Sequence, residues 1–238
     1  MSAKSNRGGR SGSASRPATL DGQDRPGAKL RQSPPARSKD EREAKLQSIL
    51  DAALDVFAEK GFAEARLEDV AARAGVGKGT IYLYFSSKEA LFEALVHSGI
   101  AVPIEAVETR ILALDLPVEA LLRTLFTFLR VEVLATRRHE IIRLLITEGG
   151  RFPAIAELYH REVLTRGLGL IRRVAERAVA RGEFRSDEMV RFPQLAVAPA
   201  LVAILWAHLF QRLEPLDLEA MFEAHVTVLM RALKAPET

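Results

Sequence analysis

The chain has 238 residues, 48% of them hydrophobic and 27% charged, enough apolar material for one or two well-packed domains and too much for a disordered protein. It contains no cysteine, which removes disulfides and thiol chemistry and agrees with a reducing cytoplasm. Of 34 basic and 31 acidic residues, positions 1–40 hold nine basic and three acidic, leaving 25 basic against 28 acidic over 41–238, so the basic character belongs to the tail.

Residues 1–40 are rich in Ser, Gly, Pro and Arg with almost no large apolar side chains, so burial cannot offset their ordering entropy and they are expected to be disordered. Two readings of this tail stand side by side: a solvated leader, or a flexible arm adding non-specific phosphate contacts. The start lacks the apolar core of a signal peptide. The longest apolar run, Leu195 to Phe210, is interrupted by Pro199 and His208, so no membrane span is expected.

The first predicted helix runs from about Glu41 to Glu59, with Leu46, Ile49, Leu50, Ala53, Leu54 and Phe57 on one face and Gly61 ending it. Next, Val70, Ala71 and Ala74 fall at helical spacing, Gly75 can take the left-handed conformation that ends a helix, and Val76 re-enters the core. A second short helix follows, in which Ile81 and Phe85 point inward while Thr80 and Tyr84 share a neighbouring face beside Tyr82. Hydroxyls on an outward face, with Lys78 at the N-terminal end, suit phosphate oxygens and base edges in a major groove.

The following helix, about Ser87 to Ile100, opens with a capping-box pair, Ser86 and Glu89, yet carries Lys88 in its first turn. A cation there opposes the helix dipole by roughly 0.3 to 1 kcal/mol, a sign that a bound phosphate would reverse. Arg66 poses the same question before the preceding helix, where it cannot cap as Ser or Thr does. On spacing alone this helix, turn and helix fits DNA binding and a purely structural unit equally.

From about Arg42 to Gly99 the chain resembles the N-terminal domain of the TetR family of bacterial transcriptional regulators. The resemblance is carried by Ile49 to Phe62, Leu67 to Ala71, Gly75 to Phe85 and Ser87 to Phe92. It implies that Lys78, Gly79, Thr80, Tyr82, Tyr84 and Lys88 approach DNA, the last three chiefly at the backbone. Two positions depart from the family pattern: Arg66 replaces a capping Thr, and Gly77 replaces the Ser that usually caps the recognition helix. Arg66 either adds a phosphate contact or shifts the helix start.

Beyond Pro103 the pattern stays helical, with helices expected over about 103–114, 118–135, 138–149, 153–181, 187–211 and 217–234. Residues 195–210 are apolar nearly all round, and Leu218, Met221, Phe222, His225, Val226, Leu229 and Leu233 form a stripe on the last helix. Such a pair suits a subunit interface, as in TetR-like dimers, or a simple core.

The five histidines show no metal spacing, and no phosphate loop or nucleophile elbow is present, so no metal, cofactor or catalytic residue is expected. The family often holds a small molecule in its C-terminal domain. Polar or aromatic residues on apolar faces are then the candidate contacts: Phe128, Arg130, Arg143, Glu148, Tyr159, His160 and Trp206. Residues Ile146 to Pro153 resemble a segment of a subset of these regulators.

The expectation is an all-α protein: a disordered basic tail (1–40), a three-helix helix-turn-helix DNA-binding unit (41–100) and a C-terminal helical ligand-binding and dimerisation domain (101–238). Its implied function is a cytoplasmic, homodimeric transcriptional regulator, a repressor released from a palindromic operator in double-stranded DNA by a small-molecule effector. In the implied mechanism the effector displaces the helix starting at Ser87 and changes the separation of the two recognition helices. The competing readings are a helical ligand carrier or enzyme whose N-terminal unit is only structural, and an architectural DNA binder relying on the tail.

Overall fold

Helix α1 (Lys39–Glu64) buries Ile49, Leu50, Ala53, Leu54 and Phe57, the stripe that its 3.6-residue period lays on one face. The structure, a computed structural model, describes residues 39–234. The expected disordered arm therefore lies outside the described residues, apart from Lys39 and Asp40, which begin α1. Regular helix stops at Gly61, whose φ of 72° only glycine adopts without strain. A Cβ there would also meet Glu148 Oε1 at 3.0 Å.

Helices α2 (Leu67–Arg73) and α3 (Lys78–Tyr84) follow, then α4 (Lys88–Val96), which continues through a π-helical segment, His97–Ala101, into α5 (Val102–Ala113). The result is one continuous helix of 26 residues, Lys88–Ala113. It is long and apolar enough to cross a membrane by length and composition, a feature the sequence reading assigned to no segment. Its residues Leu91, Phe92, Leu95, Val96, Ile100, Ala101 and Ile111 are buried within the protein. The expected boundary between residues 100 and 101 falls inside this helix.

Helix α6 (Val118–Phe128) runs on as a π segment, Leu129–Leu134, and α7 (Arg138–Gly149) follows. The expected helix over 153–181 comprises α8 (Pro153–Tyr159), a π segment, His160–Leu164, and α9 (Thr165–Ala180). The expected helix over 187–211 is instead two, α10 (Glu188–Arg191) and α11 (Gln194–Leu209). Phe192 precedes Pro193, whose ring disfavours the helical conformation before it, and Phe192 accordingly sits at φ −125°, ψ 66°. Helix α12 (Leu218–Leu233) is capped by the Asp217 carboxylate, which accepts from Ala220 N at 3.0 Å. Among the described residues there is no strand, only a single bridge between Phe184 and Lys234.

Two apolar cores result. One joins α1, α2, α3 and α4 to α7 and α8 through Phe57, Phe92, Leu144, Leu145 and Ile155, so the N-terminal helices do not close a core of their own. The other lies among α5, α6, α9, α11 and α12. Ion pairs bind Lys88–Ala113 to the 153–180 helix along its length: Glu93 with Arg161, Glu105 with Arg166 and Glu108 with Arg173. Each is exposed and worth little alone, on the order of 0 to 1 kcal/mol. On α11 only Ala196, Pro199, Ala200, Ala203 and Ile204 are buried. Leu195, Val202, Leu205 and Leu209 remain exposed, as does Val228 on α12.

Candidate nucleic-acid interface and ligand cavity

The turn between α2 and α3 follows from Gly75. At φ 65° it lets its own N–H reach Ala72 O (3.3 Å) while Val76 N–H reaches back to Ala71 O (2.9 Å), the paired bonds of a Schellman motif. Those bonds satisfy the last carbonyls of α2 and aim the chain directly into α3. Gly77 starts α3 without a side-chain cap, its carbonyl accepting from Thr80 and Ile81. Ile81 and Phe85 are buried, as their spacing demanded, and seat α3 on the first core. Arg73 fixes α2 to α1 by a two-pronged bond to Glu59, at 2.8 and 2.6 Å.

Lys78, Gly79, Tyr82 and Leu83 form the outward face of α3. Glu68, in the first turn of α2, accepts from Lys78 Nζ at 2.9 Å and from the Tyr82 hydroxyl at 3.0 Å on the same oxygen. These bonds, Lys78 first, hold the Glu68 carboxyl down at about 2, and in return raise Lys78 and Tyr82 above their ordinary values. Both donors are thus oriented by a carboxylate that also occupies them. Thr80 is half-buried, and Tyr84 turns partly inward, its ring 6.4 Å from that of Phe85. A Cβ on Gly79 would meet nothing within 4 Å, so no neighbour in the protein requires glycine there. Leu83 is 86% exposed. Sequence reading passed over it, although an apolar residue out of step with Ile81 and Phe85 was the available signal.

Lys88 is placed differently from its expected phosphate contact. Its ammonium donates to Phe62 O (2.8 Å) and Ala63 O (2.7 Å) at the end of α1 and lies 4.9 Å from the Phe62 ring centroid. A cation unfavourable at the start of α4 is thereby favourable at the C-terminus of α1. The cap of α4 is Ser87, accepting from Ala90 N at 3.2 Å, and not the expected Ser86 with Glu89. Arg66 is the N-terminal flank of α2, extended and exposed with no side-chain cap bond, so the helix start is not displaced.

A cavity of about 190 Å³ opens among α5, α6, α9 and α11. Its wall includes Ile104, Leu122, Phe126, Phe128, Ile171 and Leu201, and Tyr159 is the one lining residue with a polar side-chain atom. Burial pushes the Tyr159 phenol up, and among the described residues its hydroxyl has no hydrogen-bond partner. All three π segments reach this wall, through Gly99 and Ile100, Leu129 and Val133, and Val163 and Leu164. Such widened turns recur at functional sites. The space is partly open to the surface and walled by apolar side chains, the setting in which small-molecule sites are found.

Of the expected ligand contacts, Phe128 and Tyr159 line the cavity. The others lie elsewhere for identifiable reasons. Trp206 Nε1 donates to Glu214 O at 2.7 Å, holding the end of α11, and Arg130 pairs with Glu219 at 3.5 Å. Glu148 abuts Gly61, with Oε2 buried and unpartnered; His160 is exposed; Arg143 is half-buried outside the cavity wall. Among the described residues no three His, Asp or Glu side chains gather as a metal site needs.

Comparison with known proteins finds two matching family models. Residues 49–95 match the family described as bacterial regulatory proteins, tetR family, and residues 117–228 match the tetracyclin repressor-like C-terminal domain. The HTH-type transcriptional regulator YvdT of Bacillus subtilis is 39% identical over 67 residues, 28% of this chain and 34% of that protein. The HTH-type transcriptional regulator RutR of Escherichia coli is 51% identical over 53 residues, 22% of this chain and 25% of that protein. The chain thus spans between a quarter and about a third of the length of these relatives. In fold, the transcriptional regulator FadR from Bacillus subtilis, solved in complex with stearoyl-CoA, superposes with a TM-score of 0.60 at 21% identity, covering 77% of this chain and 97% of that one.

Proposed function

Because this chain belongs to the TetR family of bacterial regulatory proteins, we propose that it is a transcriptional regulator that binds a palindromic operator in double-stranded DNA and releases it when an effector fills the cavity. The observation that carries this reading is α3, a recognition helix whose outward face presents Lys78, Gly79, Tyr82 and Leu83 while Ile81 and Phe85 anchor it. Lys78 and Tyr82 serve phosphates, Thr80 and Leu83 serve base edges, and Gly79 allows close approach of the sugar-phosphate backbone. Tyr84 and Arg66 flank that surface. Lys88, tied by its ammonium to the Phe62 and Ala63 carbonyls, supports this surface from behind by fixing α4 to the end of α1. No catalytic role is assigned to any residue, and action on the bacterial chromosome places the protein in the cytoplasm.

The chain acts as a homodimer. Exposed Leu195, Val202, Leu205 and Leu209 on α11, with Val228 on α12, form an apolar surface of the kind that two-fold partners cover. Two recognition helices then meet half-sites about 34 to 36 Å apart, or a multiple of it. The effector acts through the continuous helix Lys88–Ala113, because one end of it anchors the DNA-binding helices through Leu91, Phe92 and Leu95 and the other lines the cavity through Gly99, Ile100, Pro103 and Ile104. Such coupling is reciprocal, so operator DNA weakens effector binding by the same factor. The division at residue 100 is functional in this reading, DNA reading before it and sensing and dimerisation after it, with Gly99 and Ile100 at the junction also lining the cavity.

Incubating the full chain with fragments of a bacterial genome at physiological salt tests the proposal. Recovery of a few fragments sharing an inverted repeat supports it; a helical carrier or enzyme recovers fragments without preference.

A further inference from the structure

Resting on the regulator reading of the cavity, we propose that the effector is an uncharged, largely apolar molecule with a single hydrogen-bond acceptor, and that the Tyr159 hydroxyl donates to that acceptor. The cavity wall carries no charged side chain. A carboxylate, phosphate or ammonium group inside it would lose its hydration without gaining a counter-charge, which proteins rarely permit. A neutral molecule escapes that penalty. A ketone or ether also offers the oxygen that Tyr159 lacks, since its hydroxyl has no partner among the described residues. A pure hydrocarbon would leave that donor unmet, so the same residue discriminates between two apolar classes.

Size and shape agree. Apolar cavities of about 150 Å³ take up benzene, and this one is somewhat larger and partly open to the surface. Gly167, on the same continuous helix as Tyr159, lines the cavity, and a Cβ there would meet nothing within 4 Å. The open space beside it is therefore available to a ligand and can be filled from the protein side.

Calorimetric titration of the full chain with three matched probes tests the assignment: heptanophenone, its hydrocarbon counterpart heptylbenzene, and para-hexylbenzoate. The ketone is expected to bind at least about tenfold tighter than the carboxylate, and Tyr159→Phe to weaken the ketone about three- to tenfold while leaving the hydrocarbon nearly unchanged. Gly167→Val, which fills the cavity, should weaken both neutral probes. The proposal is overturned if Tyr159→Phe affects ketone and hydrocarbon alike or neither, if the carboxylate binds as well as the ketone, or if none of the probes binds. The regulator reading is scored separately, by whether the ketone loosens the chain from its selected duplex. Tyr159-dependent binding without release upholds the ligand class and removes the regulator reading; release that Tyr159→Phe leaves unchanged does the reverse.

Discussion

Lys88 and Phe62 meet twice: the ammonium donates to the Phe62 carbonyl at 2.8 Å and lies 4.9 Å from the centroid of its ring. Phe62 in turn makes edge contacts with Phe92 on α4 and with Phe152, the residue before α8, at 5.3 and 5.1 Å. The end of α1, the start of α4 and the start of α8 are therefore held at one ring. Lys88→Met, which keeps the aliphatic stem and removes the donors, should lower stability by about 1 to 2 kcal/mol, since hydrogen bonds to charged groups contribute in that range when partly exposed. Its effect on the salt slope of DNA binding should stay below the roughly 0.9 expected for a lost phosphate contact. An unshifted denaturation midpoint with the full slope change would reverse this assignment.

Glu68 presents the opposite sign to DNA. Its carboxylate holds Lys78 and Tyr82 in place and also competes with phosphate for them. Glu68→Gln should tighten binding to mixed-sequence DNA and steepen the salt dependence by up to about 0.9, while narrowing the margin between operator and non-operator duplexes. Gel-shift titrations over a salt series read both quantities, and a flat response would deny Glu68 any part in DNA recognition.

Gly79→Ala separates folding from function. With open space around the position, the added methyl should stabilise α3 by roughly 0.5 kcal/mol. The same methyl should weaken operator binding about tenfold by obstructing backbone approach. A variant that melts higher and binds equally well contradicts close approach at this residue.

His225 supplies a pH dependence. Desolvation lowers its pKa and outweighs the opposing pull of the Leu195 and Ala196 main chain, the ring packing against Phe126 at 5.6 Å with Nε2 buried. The unfolded chain takes up this proton near the ordinary value of about 6.5, whereas the folded chain resists it, so the unfolded state binds more protons below that pH. Stability should fall as pH drops through about 6.5 towards the lower folded value. Thermal melts of wild type and His225→Gln at about pH 7.5 and pH 5.5 should show a smaller drop in the variant. Equal drops would exclude His225 as the source.

Much of the N-terminal unit was legible because its signals are local. Gly75 permits one backbone conformation that few residues share, and Val76, Ile81 and Phe85 fix which side of the turn is inside. The cavity was not legible, since Leu122 and Leu201 lining a space look identical in sequence to leucines filling one. Nor do the π segments leave a periodic trace, because each is only five or six residues long and mixes polar with apolar side chains, as in His97–Ala101 and His160–Leu164, too short a stretch to set one helical period against another. The partners of Lys88 were hidden for a related reason: the Phe62 and Ala63 carbonyls are 26 and 25 residues away and are main-chain atoms that any sequence provides. The break at Phe192, by contrast, is written in the sequence by Pro193.

Selection of bound duplexes from a random pool, run in parallel with wild type, Thr80→Ala and Leu83→Ala, tests most directly that α3 reads base sequence. Wild type should return an inverted repeat, and the two variants should return the same spacing with altered preference inside each half-site. No consensus from wild type, or one consensus shared unchanged by all three, would contradict it.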